Sequence, residues 1–254
     1  QILDALPGQY VGFIAISRDG SLVAASAVNS GTAVVLFTVD EAGQLTKAAT
    51  IPARTPEAVA ISADGTLLAF PNVANEVELW SLADPRAPVK VGSVPTDAQP
   101  VIVTFSPVSA TLGIGTMSGE VSLWNVADVG SPAVLSRYRD ARAEVYGLTF
   151  SPDGTAVLGS GGDERVFHWD ATQPNSPAVA TYDGQFGRTN DVAFVHGGTQ
   201  FVATGDNGEV RSFTFGREAA RRYLCESQGT SLSADEWSRY LTGIPQRDPC
   251  EGVR

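Results

Sequence analysis

An all-β fold built from repeated four-stranded units follows from two spacings and one turn signature. An aromatic residue recurs at Phe37, Trp80, Trp124, Trp169 and Phe213, with gaps of 43, 44, 45 and 44 residues. A serine recurs at Ser17, Ser62, Ser106 and Ser151, with gaps of 45, 44 and 45. Between these markers lie short apolar alternations broken by turns such as Ser151-Pro152-Asp153-Gly154, which is how antiparallel strands read. A period near 44 with four strands per unit predicts a β-propeller. One such blade buries neither of its faces alone; stacking blades around an axis covers both and leaves only short edges.

Taken in order, Gln1–Leu6 fits a fourth strand, because Leu6-Pro7 stands 45 residues before Ile51-Pro52. The first blade is expected at Ile14–Ser17, Leu22–Ser26 and Val34–Val39, and the second at Val59–Ser62, Leu67–Phe70 and Val77–Leu82. The third follows at Ile102–Ser106, Thr111–Gly115 and Val121–Val126. The fourth is the stretch Ser151–Asp170 with the strand before it. The fifth takes Val192–Val195, Phe201–Thr204 and Val210–Phe215, with no fourth strand after it. The chain does not begin with Met, which suggests a start inside a longer protein.

The propeller reading covers residues 1–216, and a tail of another kind, 217–254, is expected to pack on it. Arg217–Cys225 is rich in helix formers. Ser233-Ala234-Asp235-Glu236 forms a capping box before a short helix, Ala234–Leu241, that stops at Gly243 and Pro245. Trp237, Tyr240 and Leu241 would face the propeller. Both cysteines, Cys225 and Cys250, lie in this tail. They bracket one compact unit; a disulfide between them would contribute roughly 3 kcal/mol in the chain-entropy model. The alternative is a pair of small buried hydrophobes in a reducing compartment.

The formal net charge of −11 argues against nucleic acid, whose phosphates need clustered Lys and Arg. The tail holds six Arg and six Asp or Glu, so the acid excess lies on the propeller. No apolar run approaches the roughly 18 residues that span a bilayer, and the first residues lack the layout of a signal peptide. Nucleophilic chemistry has two histidines to draw on. His168 is expected between blades and His196 in an exposed turn. Asp64 and Asp153 precede glycine in tight turns, where aspartate caps its own backbone. No glycine pattern opens a helix in the manner of a phosphate loop. The expectation is no catalytic residue, no cofactor and no metal.

Thr149-Phe150-Ser151-Pro152-Asp153-Gly154 with Phe167-His168-Trp169-Asp170 resembles a WD40 repeat. So do Ala60–Gly65 with Glu78–Trp80, and Thr104–Pro107 with Ser122–Trp124. The Gly-His dipeptide of that family is missing; its histidine would fall at Ala141 in the fourth blade and near Gln185 in the fifth. Of the family's buried tetrad, only Ser160, Asp163 and Trp169 have matching positions. The resemblance implies seven blades as the usual number, so a piece of a larger propeller stands beside a five-blade ring closed by Gln1–Leu6. The cysteine-bearing tail resembles that of bacterial WD40 proteins that carry a STAND-type NTPase, protease-like or kinase domain upstream.

By family geometry, one end gathers Arg54, Arg139, Arg142, Arg165 and Arg188 with Tyr146 and Phe186. Arginines and aromatics of that kind serve protein interfaces; scattered solvated loop charges are the plainer account. The resemblance implies a non-enzymatic interaction or sensor scaffold for a protein or peptide partner, or for an adjacent domain of the same chain. A lactonase-like propeller hydrolase and a secreted binding propeller are the alternatives. A bacterial cytoplasm is the expected compartment, with an extracytoplasmic one if Cys225 and Cys250 are oxidised.

Overall fold

The computed structural model describes residues 10–28, 33–54, 57–183 and 187–216. The strand expected at Gln1–Leu6, Phe186 and the whole tail with Cys225 and Cys250 lie outside the described residues. Blade 1 is β1 (Tyr10–Ile16), β2 (Leu22–Val28), β3 (Ala33–Val39) and β4 (Leu45–Pro52). Blade 2 is β5 (Ala60–Ile61), β6 (Leu67–Pro71), β7 (Glu76–Ser81) and β8 (Val89–Pro95). Blade 3 is β9 (Pro100–Phe105), β10 (Thr111–Thr116), β11 (Val121–Asn125) and β12 (Ala133–Tyr138). Blade 4 is β13 (Val145–Phe150), β14 (Ala156–Gly161), β15 (Arg165–Asp170) and β16 (Ala180–Asp183). Blade 5 has three described strands, β17 (Thr189–Val195), β18 (Gln200–Gly205) and β19 (Val210–Thr214).

Each blade is an antiparallel meander whose strands neighbour one another in sequence order. The first strands of consecutive blades lie side by side, β1 on β5, β5 on β9, β9 on β13 and β13 on β17. The sheets fan outward from that inner row, and the result is an all-β, five-bladed propeller. Among the described residues, blades 1 and 5 share no strand contact of the extent that joins consecutive blades.

Four apolar layers fill the spaces between blades. Leu36 and Ile51 meet Leu68 and Phe70 between blades 1 and 2, and Leu79 and Val94 meet Leu112 and Trp124 between blades 2 and 3. Leu123 and Tyr138 meet Phe150 and Trp169 between blades 3 and 4; Leu158 and Val166 meet Phe201 between blades 4 and 5. In each layer the marker aromatic of the later blade faces the earlier one. Phe37 sits in the corresponding place on blade 1, with Val35 and Ala25 of its own sheet. The strand register slips by one residue beside Phe37, Trp80 and Trp124, a repeated bulge that deepens the blade twist.

The serine marker has a local job. Ser17, Ser62 and Ser151 each donate a hydroxyl hydrogen bond of 2.6 Å to the turn aspartate two residues on, Asp19, Asp64 or Asp153. The same hydroxyl accepts from the amide of Leu22, Leu67 or Ala156 at 2.9 Å, so one atom ties the turn to the start of the second strand. These donors, the serine hydroxyl first, hold the Asp19 carboxyl down at about 2 and keep Asp64 and Asp153 below the usual carboxylate range.

Ser160, Asp163 and Trp169 do not form a shared network. The Trp169 indole N–H donates to Asp140 Oδ2 at 2.7 Å instead. Asp163 accepts from the Arg142 amide at 3.2 Å, and the buried Ser160 hydroxyl has no hydrogen-bond partner among the described residues. With no histidine at Ala141, the preceding aspartate takes the indole and the serine is left over. Among the described residues the other two indoles bond within their own strand, Trp80 to Glu78 at 2.9 Å and Trp124 to Ser122 at 3.0 Å. An orphaned buried hydroxyl costs desolvation with no return. Ser160→Ala is therefore expected to leave the urea unfolding midpoint unchanged or to raise stability by up to about 1 kcal/mol. A loss above about 1 kcal/mol would mean that the hydroxyl is hydrogen-bonded after all.

Candidate interaction face

Inside each blade, the second-to-third-strand turn and the lead-in to the first strand lie at the same end of the sheet. These segments touch across blades. Gly119, in the β10–β11 turn at φ +87°, lies under the loop into blade 4, where a Cβ would sit 2.6 Å from the Ala141 carbonyl oxygen. Gly161 is tighter still, since a Cβ there would fall 1.7 Å from the Glu144 carbonyl oxygen. The amide of Gly162 donates to that same carbonyl at 3.0 Å. Backbone packing thus fixes the segment that carries Glu144 and Tyr146.

On this base stands a compact cluster. Arg188 Nη2 meets Glu144 Oε1 at 2.9 Å, and the Tyr146 hydroxyl donates to the same oxygen at 3.2 Å. The Arg188 guanidinium lies 4.9 Å above the Tyr146 ring. The Glu144 carboxyl is held below its ordinary value, chiefly by its own backbone amide and then by Tyr146 and Arg188. Burial raises the Tyr146 phenol, with the charges of Glu144 and, more weakly, Glu57 adding to it. Glu57 leads into β5 of blade 2, and burial raises its carboxyl.

A second network occupies the outer side of blade 3. The buried Glu120 accepts from Arg137 Nη1 at 2.6 Å and from Arg139 Nε at 2.8 Å, and Asp97 takes Arg137 Nη1 at 2.9 Å. Arg137 also lies 5.7 Å over the Trp124 ring. Nearer blade 1, Arg54 borders a cavity of about 530 Å³ with Pro52, Phe70, Val73 and Glu78. Burial works to raise the Glu78 carboxyl; donors from Lys90, Trp80 and Asn72 outweigh it and hold the group below its ordinary value.

Arg54, Arg139, Arg142, Tyr146, Arg165 and Arg188 lie in or beside the lead-ins to first strands and the second-to-third-strand turns, and they are of three kinds. Arg139 and Arg188 neutralise Glu120 and Glu144, and Arg165 pairs with the exposed Asp183 at 2.9 Å. Such surface pairs contribute little to stability. Arg54 and Arg142 form no ion pair among the described residues. Sequence reading missed Glu144, Glu120, Asp97 and Asp183, the acidic halves of these contacts. Their partners lie between 2 and 44 residues away, on segments whose facing only the folded repeat defines. His168 is half-buried, 4.7 Å from the Phe215 ring of blade 5, and burial lowers its imidazole; His196 is exposed. Among the described residues, no three of His, Cys, Asp and Glu converge to hold a metal ion. No helix among them is long and apolar enough to cross a membrane.

A radial fan of antiparallel meanders, with Ser-x-Asp-Gly turns in blades 1, 2 and 4 and an aromatic in each third strand, has the fold of a WD40-type β-propeller. A chain from the crystal structure of the mitotic checkpoint complex has a similar fold, with a TM-score of 0.66 and 17% identity. The match covers 83% of this chain and 63% of that one, so this chain spans less than two thirds of its length. At that identity the likeness speaks for the fold alone. Residues 5–167 match the model of a family described as a domain of unknown function, DUF7165, and the chain belongs to that family. No curated protein matches the chain. The propeller is consistent with an interaction scaffold, a rigid disc whose two ends present loops.

Proposed function

We propose that this chain is a non-enzymatic interaction or sensor module that contacts a protein or peptide partner, or an adjacent domain of its own chain, through the end carrying Tyr146 and Arg188. The observation behind this reading is the Glu144–Tyr146–Arg188 cluster. It sets an aromatic ring and a guanidinium, the residue types that dominate interface energetics, on a backbone held by packed glycines. Groups ordered before binding lose little freedom on association, which favours affinity. The similar solved chain belongs to a protein complex, which supports protein partners in general. We further propose that the five blades are the C-terminal part of a larger propeller. Its setting would be a bacterial cytoplasmic protein with a STAND-type NTPase, protease-like or kinase domain upstream.

Photo-crosslinking in cells tests the interface. A benzophenone amino acid at Arg142, on this end, should give a discrete adduct that the same probe at Leu135, on the outer edge, does not give. The paired substitution Tyr146→Ala and Arg188→Ala should reduce the adduct about tenfold or more, the loss of a typical hot-spot contact. Equal labelling from Leu135, or an adduct indifferent to the paired substitution, would remove this face from consideration.

A further inference from the structure

At the opposite end of the propeller, the turns between first and second strands depart from their own repeat in blades 3 and 5, and blade 3 does so while keeping its serine. Blades 1, 2 and 4 close this turn with a serine-to-aspartate hydrogen bond. Blade 3 keeps the serine, Ser106, but puts Val108 where the aspartate would stand and Ser109 where the glycine would stand. Val108 is 61% exposed. It leans on the blade 4 turn, where a Cβ at Gly154 would lie 2.4 Å from Val108 Cγ2. A valine there forfeits the hydrogen bonds an aspartate would make and gains little burial, so the turn itself does not account for it.

Beside Val108 lies a cavity of about 570 Å³, open to solvent, between the turns of blades 2 and 3. Leu67, Phe105, Val108 and Val126 supply apolar wall, and Arg18 and Asp64 stand on its border. Arg18 arrives from blade 1. Its Nη1 donates to the Pro107 carbonyl at 3.2 Å, which carries the guanidinium across the blade 2 turn. Arg18 forms no ion pair among the described residues. The Asp64 carboxylate is turned back into its own turn, where it accepts from the Ser62 hydroxyl at 2.6 Å and the Thr66 hydroxyl at 2.8 Å. The cleft therefore offers an apolar wall and one guanidinium that holds no ion pair among the described residues, with the Asp64 carboxylate engaged in its own turn, at a size typical of ligand pockets.

We propose that this cavity docks a short peptide segment of a protein partner, which inserts an apolar side chain against Leu67 and Val108 and sets a carboxylate on Arg18. Charge complementarity selects the carboxylate, since Arg18 retains donors for a planar acidic group. The exposed valine and the cavity select the apolar residue. This site is separate from the Tyr146–Arg188 end and does not depend on the function proposed for it.

Random heptapeptides displayed on phage, panned on the immobilised 254-residue chain, supply the probe, with enriched peptides measured by fluorescence anisotropy. Enriched sequences should place an apolar residue within a few positions of Asp or Glu. Arg18→Ala should weaken them about tenfold or more, and Arg18→Lys less, because the ammonium keeps charge without the planar fork. Val108→Asp should abolish binding, because it removes apolar wall and opposes the incoming carboxylate. Absence of enrichment, a consensus without an acidic residue, or affinities unchanged by both Arg18→Ala and Val108→Asp would overturn the proposal. Peptides that lose binding with Tyr146→Ala and Arg188→Ala, but not with Arg18→Ala, would also overturn it and would support the other face instead.

Discussion

Trp169→Ala should lower the stability of the chain by about 4 kcal/mol, the largest effect expected of any single substitution here. The side chain is fully buried between blades 3 and 4. Tyr138 and Phe167 stack against it with ring centroids 5.3 and 5.5 Å away. Truncation removes its apolar surface from the layer and leaves a cavity that stiff neighbouring strands collapse into only in part. It also leaves Asp140 without the indole donor it holds at 2.7 Å. Trp169→Phe separates the two contributions, since it keeps most of the packing and loses only the hydrogen bond, at a cost of about 1–2 kcal/mol. Urea unfolding followed by circular dichroism measures both. A loss below about 1 kcal/mol for the alanine variant would show that this layer is not part of the cooperative core.

Gly161→Ala should rank second, at about 3 kcal/mol, and should act on the interaction face as well as on the fold. The added methyl group would meet the Glu144 carbonyl oxygen at 1.7 Å, far inside contact distance, and neither strand is free to move away. Relief requires separating β14 from the start of β13, which breaks the hydrogen bond from the Gly162 amide to Glu144 and displaces the carboxylate under Arg188. The expected signature is a lower thermal midpoint together with loss of the Arg142 crosslink. A variant with wild-type stability would show that the two strands have slack that the packing does not suggest.

Much of the fold was legible because the repeat repeats the physics. Strand β2 begins at Leu22, β6 at Leu67 and β10 at Thr111, each where alternation and turn chemistry put it, because a one-residue slip would turn every apolar side chain to the wrong face. First strands were less legible. β1 starts at Tyr10, four residues before the expected Ile14, whereas β5 is only Ala60–Ile61. These inner strands are shaped by neighbouring blades, and local pattern records that weakly. The face was legible in its arginines, whose positions follow from strand ends, and illegible in their pairing. Nothing adjacent to Arg188 in sequence announces that Glu144, one repeat earlier, will neutralise it. Arg18 is a further case, since its acceptor, Pro107, lies two blades away.

The way the indoles are satisfied bears on what a duplicated segment must carry with it. A tetrad that spans a loop, a turn and two strands works only when four positions are copied and kept together. Trp80 with Glu78, and Trp124 with Ser122, need two positions in one strand, so donor and acceptor travel as a single short word of sequence. Phe37 and Phe213 need no acceptor at all, because a phenyl ring has no polar hydrogen to place. The indole pairs of blades 2 and 3 can therefore change without involving a neighbouring blade, whereas Trp169 of blade 4 still depends on Asp140 in the loop before it. Blades can then share their turn serine and their outline while each satisfies its third-strand aromatic in its own way.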